Sequence, residues 1–367
     1  MSEVKKRLDY FDMAKGIGAI LVLLGHLQGD DFFKLSPYIL PMCEWIFSFH
    51  MVLFFIVSGM LLYHKNDIEK DFAVLVKKRF KGIMIPYFWF SAFYISVVVY
   101  ALINKTVMPT TLFVNLWYIF STYGMNVLWF LPALFFGELL FIFIMQKFKN
   151  KNVSAIVIAC FGIVGFILAY ALTRLTYETE SAKRIHELAT ALIRPFIVSL
   201  FIMIGYYGQK LVSKIDFTKN KWLQIPVGVV FMVFAAFFVK VNHGVDFRSL
   251  VFKNVFFYLF CSLLSSFGLV LICRGIPAVK AIKFFGVNSL IFMGVHNNKT
   301  VLFYAMKLAM YVNQFITRAK GYIYYMIVVA VILIYVTLMT VLINKFVPFI
   351  VGKPLENPFI KMKENNG

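Results

Sequence analysis

Long apolar stretches separated by short polar segments run along almost the whole chain. A helix that crosses about 30 Å of hydrocarbon needs about 20 mostly apolar residues. Ten stretches have this length, near residues 10–28, 45–63, 83–103, 126–146, 153–173, 192–211, 222–240, 250–273, 285–306 and 322–346. The pattern predicts an all-α polytopic membrane protein with about ten transmembrane helices, in one integral-membrane domain of residues 1–367. The shorter aromatic segment 109–124 is predicted either to lie along the outer interface or to dip into the bilayer.

The composition excludes a soluble globular domain. Of the 367 residues, 61% are hydrophobic and only 15% are charged, and the mean hydropathy is +0.81. In a soluble protein the net charge of +20 would indicate nucleic acid as a partner. In a membrane protein, however, basic residues are interpreted by the loop that carries them, and no nucleic-acid partner is predicted.

Basic residues concentrate on one side of the predicted membrane. Alternate loops, including residues 5–7, 65–81 and the C-terminal tail, hold about twice as many Lys and Arg as the loops between them. Because cytoplasmic loops are enriched in Lys and Arg, both termini are predicted to be cytoplasmic. The four cysteines lack metal-ligand spacing, so they are predicted to be packing residues and no metal is predicted.

The first apolar stretch contains three polar residues that require an explanation. In DMAKGIGAILVLLGH, residues 12–26, a span begins with Asp12 and Lys15 and ends at His26. Ionisable groups at membrane depth are costly unless they are paired or face a cavity. Lys15 and His26 are eleven residues apart, which places them on one helix face and about 16 Å from each other along the helix axis. Asp12 and Lys15 can pair at i, i+3, and the face is predicted to line a passage.

Two further spans carry polar residues toward the outer half of the membrane. His50 lies near the outer end of the second span, where it either faces a cavity with His26 or is a satisfied interfacial histidine. Ser58 and Gly59, deeper in that span, are predicted to allow close helix packing. Near the C-terminus, GVNSLIFMGVHNNKTVLF is polar at His296 and Asn297 inside an apolar stretch, which predicts that this part faces the cavity.

Charged residues also mark the inner half. In VKKRFKGIMIPY, Lys78, Arg79 and Lys81 either anchor the chain to anionic lipid or bind a phosphate-bearing ligand. In LWFLPALFFGELL, Glu138 lies in the middle of a span, where an isolated carboxylate is expensive. It is predicted to meet Lys15, Arg79 or a backbone donor, and structural pairing and catalytic positioning are equally compatible with the sequence.

Five segments, taken in order, resemble the acyltransferase family 3 integral-membrane proteins, and within them the sugar O-acetylase branch typified by fucose 4-O-acetylase-like proteins. They are RLDYFDMAKGIGAILVLLGH, FHMVLFFIVSGMLLY, KKRFKGIMIPY, LWFLPALF and FGVNSLIFMGVH. The resemblance covers nearly the whole chain. It implies transfer of an acyl group, usually acetyl from cytosolic acetyl-coenzyme A, to a hydroxyl of a surface polysaccharide or lipid-linked sugar. It also implies a multi-pass protein of a bacterial cell membrane.

The resemblance also suggests roles for individual residues. The family's Arg and His of the first span correspond to Lys15 and His26, and its RxxR donor motif corresponds to Lys78 and Lys81, with Arg79 between them. Lysine at position 15 keeps the charge but loses the planar fork of arginine. Some relatives carry an extracellular hydrolase-like domain. No such domain is predicted here, so the protein is expected either to act alone or to hand the acyl group to a partner.

The chemistry of acyl transfer fits these residue types. A sugar hydroxyl needs a general base near neutral pH, and histidine, with an unperturbed pKa of about 6.5, is suited to that role. His26 is the candidate base, or alternatively the group that accepts the acyl group transiently. The other candidate catalytic residues are Lys15, Asp12 and Glu138, the candidate donor-binding residues are Lys15, Lys78, Arg79 and Lys81, and the candidate substrate-binding residues are His50, His296 and Asn297. The alternative function is a transporter or flippase for a sugar precursor, for which inverted repeats would be typical.

Overall fold

The computed structural model describes residues 8–27, 40–214, 221–315 and 322–354. Regular structure in these ranges is helical, and one isolated β-bridge joins Asp246 to Val251. The α-helices are α1 (Asp9–His26), α2 (Leu40–His64), α3 (Phe72–Arg79), α4 (Ile85–Ile103), α5 (Pro109–Phe120), α6 (Phe130–Lys147), α7 (Lys151–Leu172), α8 (Glu180–Lys214), α9 (Gln224–Phe237), α10 (Val255–Gly275), α11 (Lys280–Val287), α12 (Ser289–Val295), α13 (Lys299–Phe315) and α14 (Tyr322–Phe346). The predicted basic segment 5–7 and the tail beyond residue 354 lie outside the described residues.

Eight helices among the described residues are long and apolar enough to cross a membrane. They are Pro41–His64, Phe72–Ile103, Asn126–Lys147, Lys151–Leu172, Glu180–Ser213, Gln224–Val241, Val255–Gly275 and Tyr325–Phe346. The all-α polytopic class is therefore confirmed, with eight such helices in place of about ten. The short segment 109–124 contains α5, whose 12 residues are too few to span a bilayer.

The two remaining predicted spans differ from ordinary transmembrane helices. The stretch near 10–28 does form a helix, α1, but it carries three charged residues, Asp9, Asp12 and Lys15, and is not among the eight. The stretch 285–306 is not one span, because the chain breaks after α11 and again after α12. At these breaks the Asn288 side-chain amide donates to the Phe284 carbonyl, and the Asn298 side-chain oxygen Oδ1 accepts from the Val301 N–H. Short amide side chains compete with the helix ladder in this way.

Helix α2 lies in the centre of the bundle. It is apolar over most of its length and largely buried, and polar side chains such as His50 and Ser58 interrupt the apolar sequence at single positions. It packs closely on α8, since a Cβ at Gly59 would lie 2.0 Å from the Ile202 carbonyl oxygen, and one at Gly205 would lie 2.1 Å from that of Ile56. The predicted packing role of Gly59 is confirmed. By contrast, α7 and α9 expose much of their apolar surface, which suits contact with lipid.

Helix α1 is held against α11 by an equally close contact. A Cβ at Gly16 would lie 2.0 Å from the Ile282 carbonyl oxygen, and a Cβ at Gly286 would lie 1.7 Å from the Asp12 carbonyl oxygen. Neither backbone oxygen can move aside without moving its helix. The two glycines therefore fix the depth and rotation of α1, and with them the positions of its polar side chains.

Replacing Gly286 by leucine is expected to separate α1 from α11 and destabilise the protein by about 3 kcal/mol or more. Thermal unfolding in detergent measures this effect, with the remaining fraction of monodisperse protein at each temperature as the readout. The matched control is Gly82→Leu, because a Cβ at Gly82 has no atom within 4 Å. Equal melting temperatures for the two variants would show that the α1–α11 contact carries no such constraint.

Candidate active site

Three histidines from separate parts of the chain meet at one end of the bundle. His26 ends α1, His50 lies in the first half of α2, and His296 follows α12. The rings of His26 and His296 stack with centroids 5.6 Å apart and planes 11° apart, and the His26 and His50 rings lie 6.4 Å apart at 85°. This group is the histidine cluster, and the end of the bundle that holds it is the histidine end.

Backbone carbonyls orient two of these rings. Nδ1 of His50 lies 2.8 Å from the Ile46 oxygen, and Nδ1 of His296 lies 3.0 Å from the Phe292 oxygen. Because a carbonyl only accepts, each Nδ1 is inferred to carry the proton, which leaves Nε2 with its lone pair. Nε2 of His296 is buried and has no hydrogen-bond partner among the described residues. The cluster therefore holds imidazole nitrogens that are able to accept a proton.

A cavity of about 100 Å³ adjoins the cluster. Its polar lining consists of His26, His50, Asn126, Asp246 and Arg248, and its apolar lining of Val22, Phe47, Met51, Val127, Trp129, Phe247 and Met293. Asn297 does not line the cavity itself. Its side-chain amide donates to the side chain of Asn126, a lining residue, at 3.1 Å. Among the described residues, no group of three or more His, Cys, Asp or Glu side chains is arranged to hold a metal ion.

Arg194 of α8 ties together the two loops beside this cavity. Its side chain is 1% exposed. Nε donates to the Arg248 carbonyl at 3.0 Å, a second nitrogen donates to the same oxygen, and a third donates to the Tyr123 carbonyl at 2.8 Å. The guanidinium also lies over the rings of Tyr123 and Trp129, at 4.7 and 5.1 Å. Sequence reasoning missed Arg194, although an arginine inside the apolar run ALIRPFIV was a signal for it.

A cluster of charged residues lies at the end of the bundle opposite the histidine end. We term this the basic end, and define it by Lys15, Lys65, Lys78 and Arg79. The fully buried Asp67 carboxylate lies 2.9 Å from Arg79 and 3.4 Å from Lys78, and it also pairs with Lys70. Nε of Arg79 lies 2.7 Å from the Glu138 carboxylate, which also accepts from Ser58. The candidate donor-binding residues Lys78 and Arg79 therefore already have carboxylate partners in the protein.

These contacts change the interpretation of two candidate residues. Glu138 contacts Arg79, one of the predicted partners, and it lies beside Ser58, eight residues along α2 from His50 and so about 12 Å from its level. Glu138 therefore fixes a cation and does not orient the histidine cluster. Ser58, predicted to be a packing residue, is the hydrogen-bond donor to this carboxylate. Lys81 is exposed in the π-helical turn Phe80–Met84.

The charges around Asp67 determine its ionisation. Burial opposes the charged form, but the hydrogen bond from Lys70 and the positive charges of Arg79 and Lys78 outweigh it. The pKa of Asp67 therefore lies below its ordinary value, and the carboxylate is charged at neutral pH. Nothing in the sequence around Asp67, a residue of a short polar turn, marks it as buried.

Two cavities open at the basic end. Asp12 and Lys15 form the predicted i, i+3 ion pair at 3.0 Å and line a cavity of about 260 Å³ together with Leu61, His64 and Lys65. A larger one, of about 680 Å³, includes Tyr10, Gln209 and Arg274. Neither shares a lining residue with the cavity at the histidine end. The predicted polar wall of α1 is thus polar at its two ends and apolar between them, at Ala19 and Val22.

Comparison with known proteins identifies the family of this chain. A family model described as Acyltransferase domain matches residues 8–344. The chain is 31% identical to Nodulation protein NolL of Mesorhizobium japonicum over 161 residues, which cover 41% of this chain and 40% of that protein. It is 40% identical to Nodulation protein NolL of Sinorhizobium fredii over 86 residues, 22% of each chain. The matched regions thus span less than half the length of these relatives, and no solved structure matches the chain significantly.

The family match extends over α1 and α14 and everything between them. It includes the helices that carry the histidine cluster, Arg194 and the charge cluster of the basic end. This chain is a polytopic membrane protein that belongs to the acyltransferase family.

Proposed function

We propose that this protein is a membrane O-acyltransferase of the sugar O-acetylase type. It moves an acyl group, acetyl in the simplest case, from acyl-coenzyme A to a hydroxyl of a cell-surface polysaccharide or lipid-linked sugar in a bacterial envelope. The observation that carries the proposal is the histidine cluster, in which His26 faces a cavity and contacts two further imidazoles. Membership of the acyltransferase family supports the same reaction class.

The reaction follows from general base catalysis. An imidazole nitrogen of His26 takes the proton of the acceptor hydroxyl, and the oxygen attacks the thioester carbonyl carbon. The carbon–sulfur bond then breaks, the ester forms, and the coenzyme A thiolate leaves and recovers the proton from the imidazolium. His26 makes no hydrogen bond to another described residue, so its ring nitrogens are available to the acceptor. A two-step route through an acyl-histidine consumes the same substrates and gives the same ester and free coenzyme A.

The donor and the acceptor approach from opposite ends in this proposal. The basic end faces the cytosol, in agreement with the distribution of Lys and Arg, and Lys15 and Lys65 provide charge for the donor's phosphates. Lys78 and Arg79 contribute less to donor binding than expected, since Asp67 and Glu138 neutralise them. The thioester must then travel about 16 Å along α1 to reach His26.

Purified protein in liposomes allows a direct test. Acetyl-coenzyme A labelled in the acetyl group is supplied outside the vesicles, and glycan extracted from the cells that make the protein is enclosed within them. We expect labelled glycan inside and free coenzyme A outside, in equal amounts. Vesicles without protein, and vesicles with the donor but no glycan, are the controls.

The same assay separates the proposal from its alternative. A transporter or flippase for a sugar precursor would move the glycan or its precursor across the bilayer and release no coenzyme A. Movement of the acceptor without transfer of label would therefore overturn the acyltransferase proposal.

A further inference from the structure

The cavity at the histidine end has a polar side that the proposed chemistry does not use. His26 and His50 line it together with Asp246 and Arg248, which lie on the chain between α9 and α10. A carboxylate and a guanidinium are therefore arranged beside the candidate base, in a cavity with otherwise mainly apolar walls.

The structure holds this pair in place from several directions. Asp246 and Val251 exchange two backbone hydrogen bonds, of 3.0 and 2.8 Å, and the Arg248 N–H donates to Oδ1 of Asp246 at 2.9 Å. The Arg248 carbonyl accepts from Arg194, and its side chain donates to the Gly124 carbonyl at 3.2 Å. A loop that only connected two helices would not need this many restraints, and preorganised polar groups are typical of a binding site.

Both side chains retain unused hydrogen-bonding capacity. Nε of Arg248 is buried and lacks a hydrogen-bond partner among the described residues. Asp246 is exposed, and the hydrogen bond described for its side chain uses Oδ1, so Oδ2 is accessible to water and to a ligand. Buried donors in native proteins nearly always have partners, so an orphaned guanidinium N–H at a cavity indicates a group that is bound there during function.

The geometry points to a specificity site: we propose that Asp246 and Arg248 select the acceptor by binding two neighbouring hydroxyls of a carbohydrate. This inference rests on the proposed function. The carboxylate accepts from one hydroxyl and the guanidinium donates to the next, which is the pairing that adjacent hydroxyls require because each can donate and accept. Asn126 also lines the cavity, and its side-chain oxygen already accepts from the Asn297 amide. A third hydroxyl then meets His26 for acylation.

The test compares recognition of the acceptor with turnover of the donor. Wild type, Asp246→Asn and Arg248→Lys are assayed with labelled acetyl-coenzyme A and, as probes, the methyl glycosides of glucose, galactose and N-acetylglucosamine. Cyclohexanol serves as an acceptor without neighbouring hydroxyls. Slow hydrolysis of the donor by water, with no acceptor added, reports on His26 and on the donor site. The matched control is Lys240→Gln, an exposed residue of the same connecting segment.

We expect wild type to acylate at least one glycoside with a KM well below that for cyclohexanol. Both variants should raise the KM for that glycoside about ten-fold or more, because each loses a hydrogen bond of a charged group. Donor hydrolysis should fall much less than glycoside transfer, since His26 and the donor site keep their residues. A merely structural role for the loop would lower hydrolysis and glycoside transfer together.

Three results would overturn the inference. Unchanged glycoside KM values in both variants would show that the pair does not bind the acceptor. Equal KM values for glycosides and cyclohexanol, or donor hydrolysis without acylation of any glycoside, would exclude recognition of neighbouring hydroxyls. Wild type that neither hydrolyses nor transfers the acetyl group would instead refute the proposed function on which the inference rests.

Discussion

Replacing His26 by alanine is expected to lower acyl transfer by about 10²- to 10⁴-fold, the usual contribution of a general base. His26 is the central member of the histidine cluster, because its ring contacts both His50 and His296 and also lines the cavity. The variant should still bind acetyl-coenzyme A, since the basic end lies about 16 Å away along α1. Turnover of labelled donor and donor binding, measured on the same preparation, test this result.

The other histidines provide the comparison. His50→Ala and His296→Ala should each reduce transfer less than His26→Ala, because the His26 ring alone contacts both other imidazoles and also lines the cavity. His243→Ala, at an exposed position between α9 and α10, should leave the rate unchanged. If His50→Ala abolished transfer while His26→Ala retained most of it, the base would be His50.

Replacing Asp67 by asparagine is expected to lower the free energy of unfolding by about 3 kcal/mol. The change removes the buried carboxylate shared by Lys70, Lys78 and Arg79, and breaking a buried pair typically costs about 3–5 kcal/mol. The lower end applies because the two lysines are about half exposed. Denaturation in detergent measures the difference, with Glu69→Gln, an exposed residue of the same turn, as control.

The pH dependence gives an independent check on this cluster. Because the pKa of Asp67 is lowered in the folded protein, its contribution to stability is complete well above the unfolded value of about 3.9. It is lost as the pH falls through the lower folded value. The stability difference between wild type and Asp67→Asn should therefore be constant near neutral pH and shrink in acid. A difference that grew in acid would contradict the assignment of the lowered pKa to Asp67.

Hydrophobic patterning predicted the membrane class and eight helices well, because each of those helices is a continuous apolar run. It was less informative for α1 and for the region 285–306, where polar side chains are compensated by contacts within the bundle. The break at Asn288 depends on a side-chain amide that bonds to the backbone. Apolar periodicity alone does not distinguish such a broken helix from a continuous one.

The candidate site was predicted in part. Polar residues inside apolar stretches identified His26, His50 and His296, which the structure brings together. The same argument applied to Arg194 but was not used there. Asp246 and Arg248 lie in a connecting segment of ordinary polar composition, so their position beside His26 depends on the folding of chain segments far apart in sequence. Likewise, the basic motif gave no sign that Asp67 neutralises it.

The contacts of α1 have a consequence for how the protein is assembled during synthesis. Besides its packing on α2, this helix has several close partners from the last third of the chain: the Lys283 ammonium lies 2.5 Å from Asp9, the Val279 N–H lies 3.2 Å from the Met13 sulfur, and the Tyr325 hydroxyl donates to the Leu24 carbonyl at 2.8 Å. Helix α1, however, leaves the ribosome before these partners do.

A helix with three charged residues partitions poorly into lipid by itself. Because more than 250 residues separate α1 from α11, the nascent α1 can pack on α2 at first but lacks its contacts with α11 until that helix is made. In chains truncated before α11, α1 would lack the close contact with Gly286 and the ion pair between Asp9 and Lys283. They would therefore be substrates for membrane proteases, and not shorter versions of the enzyme.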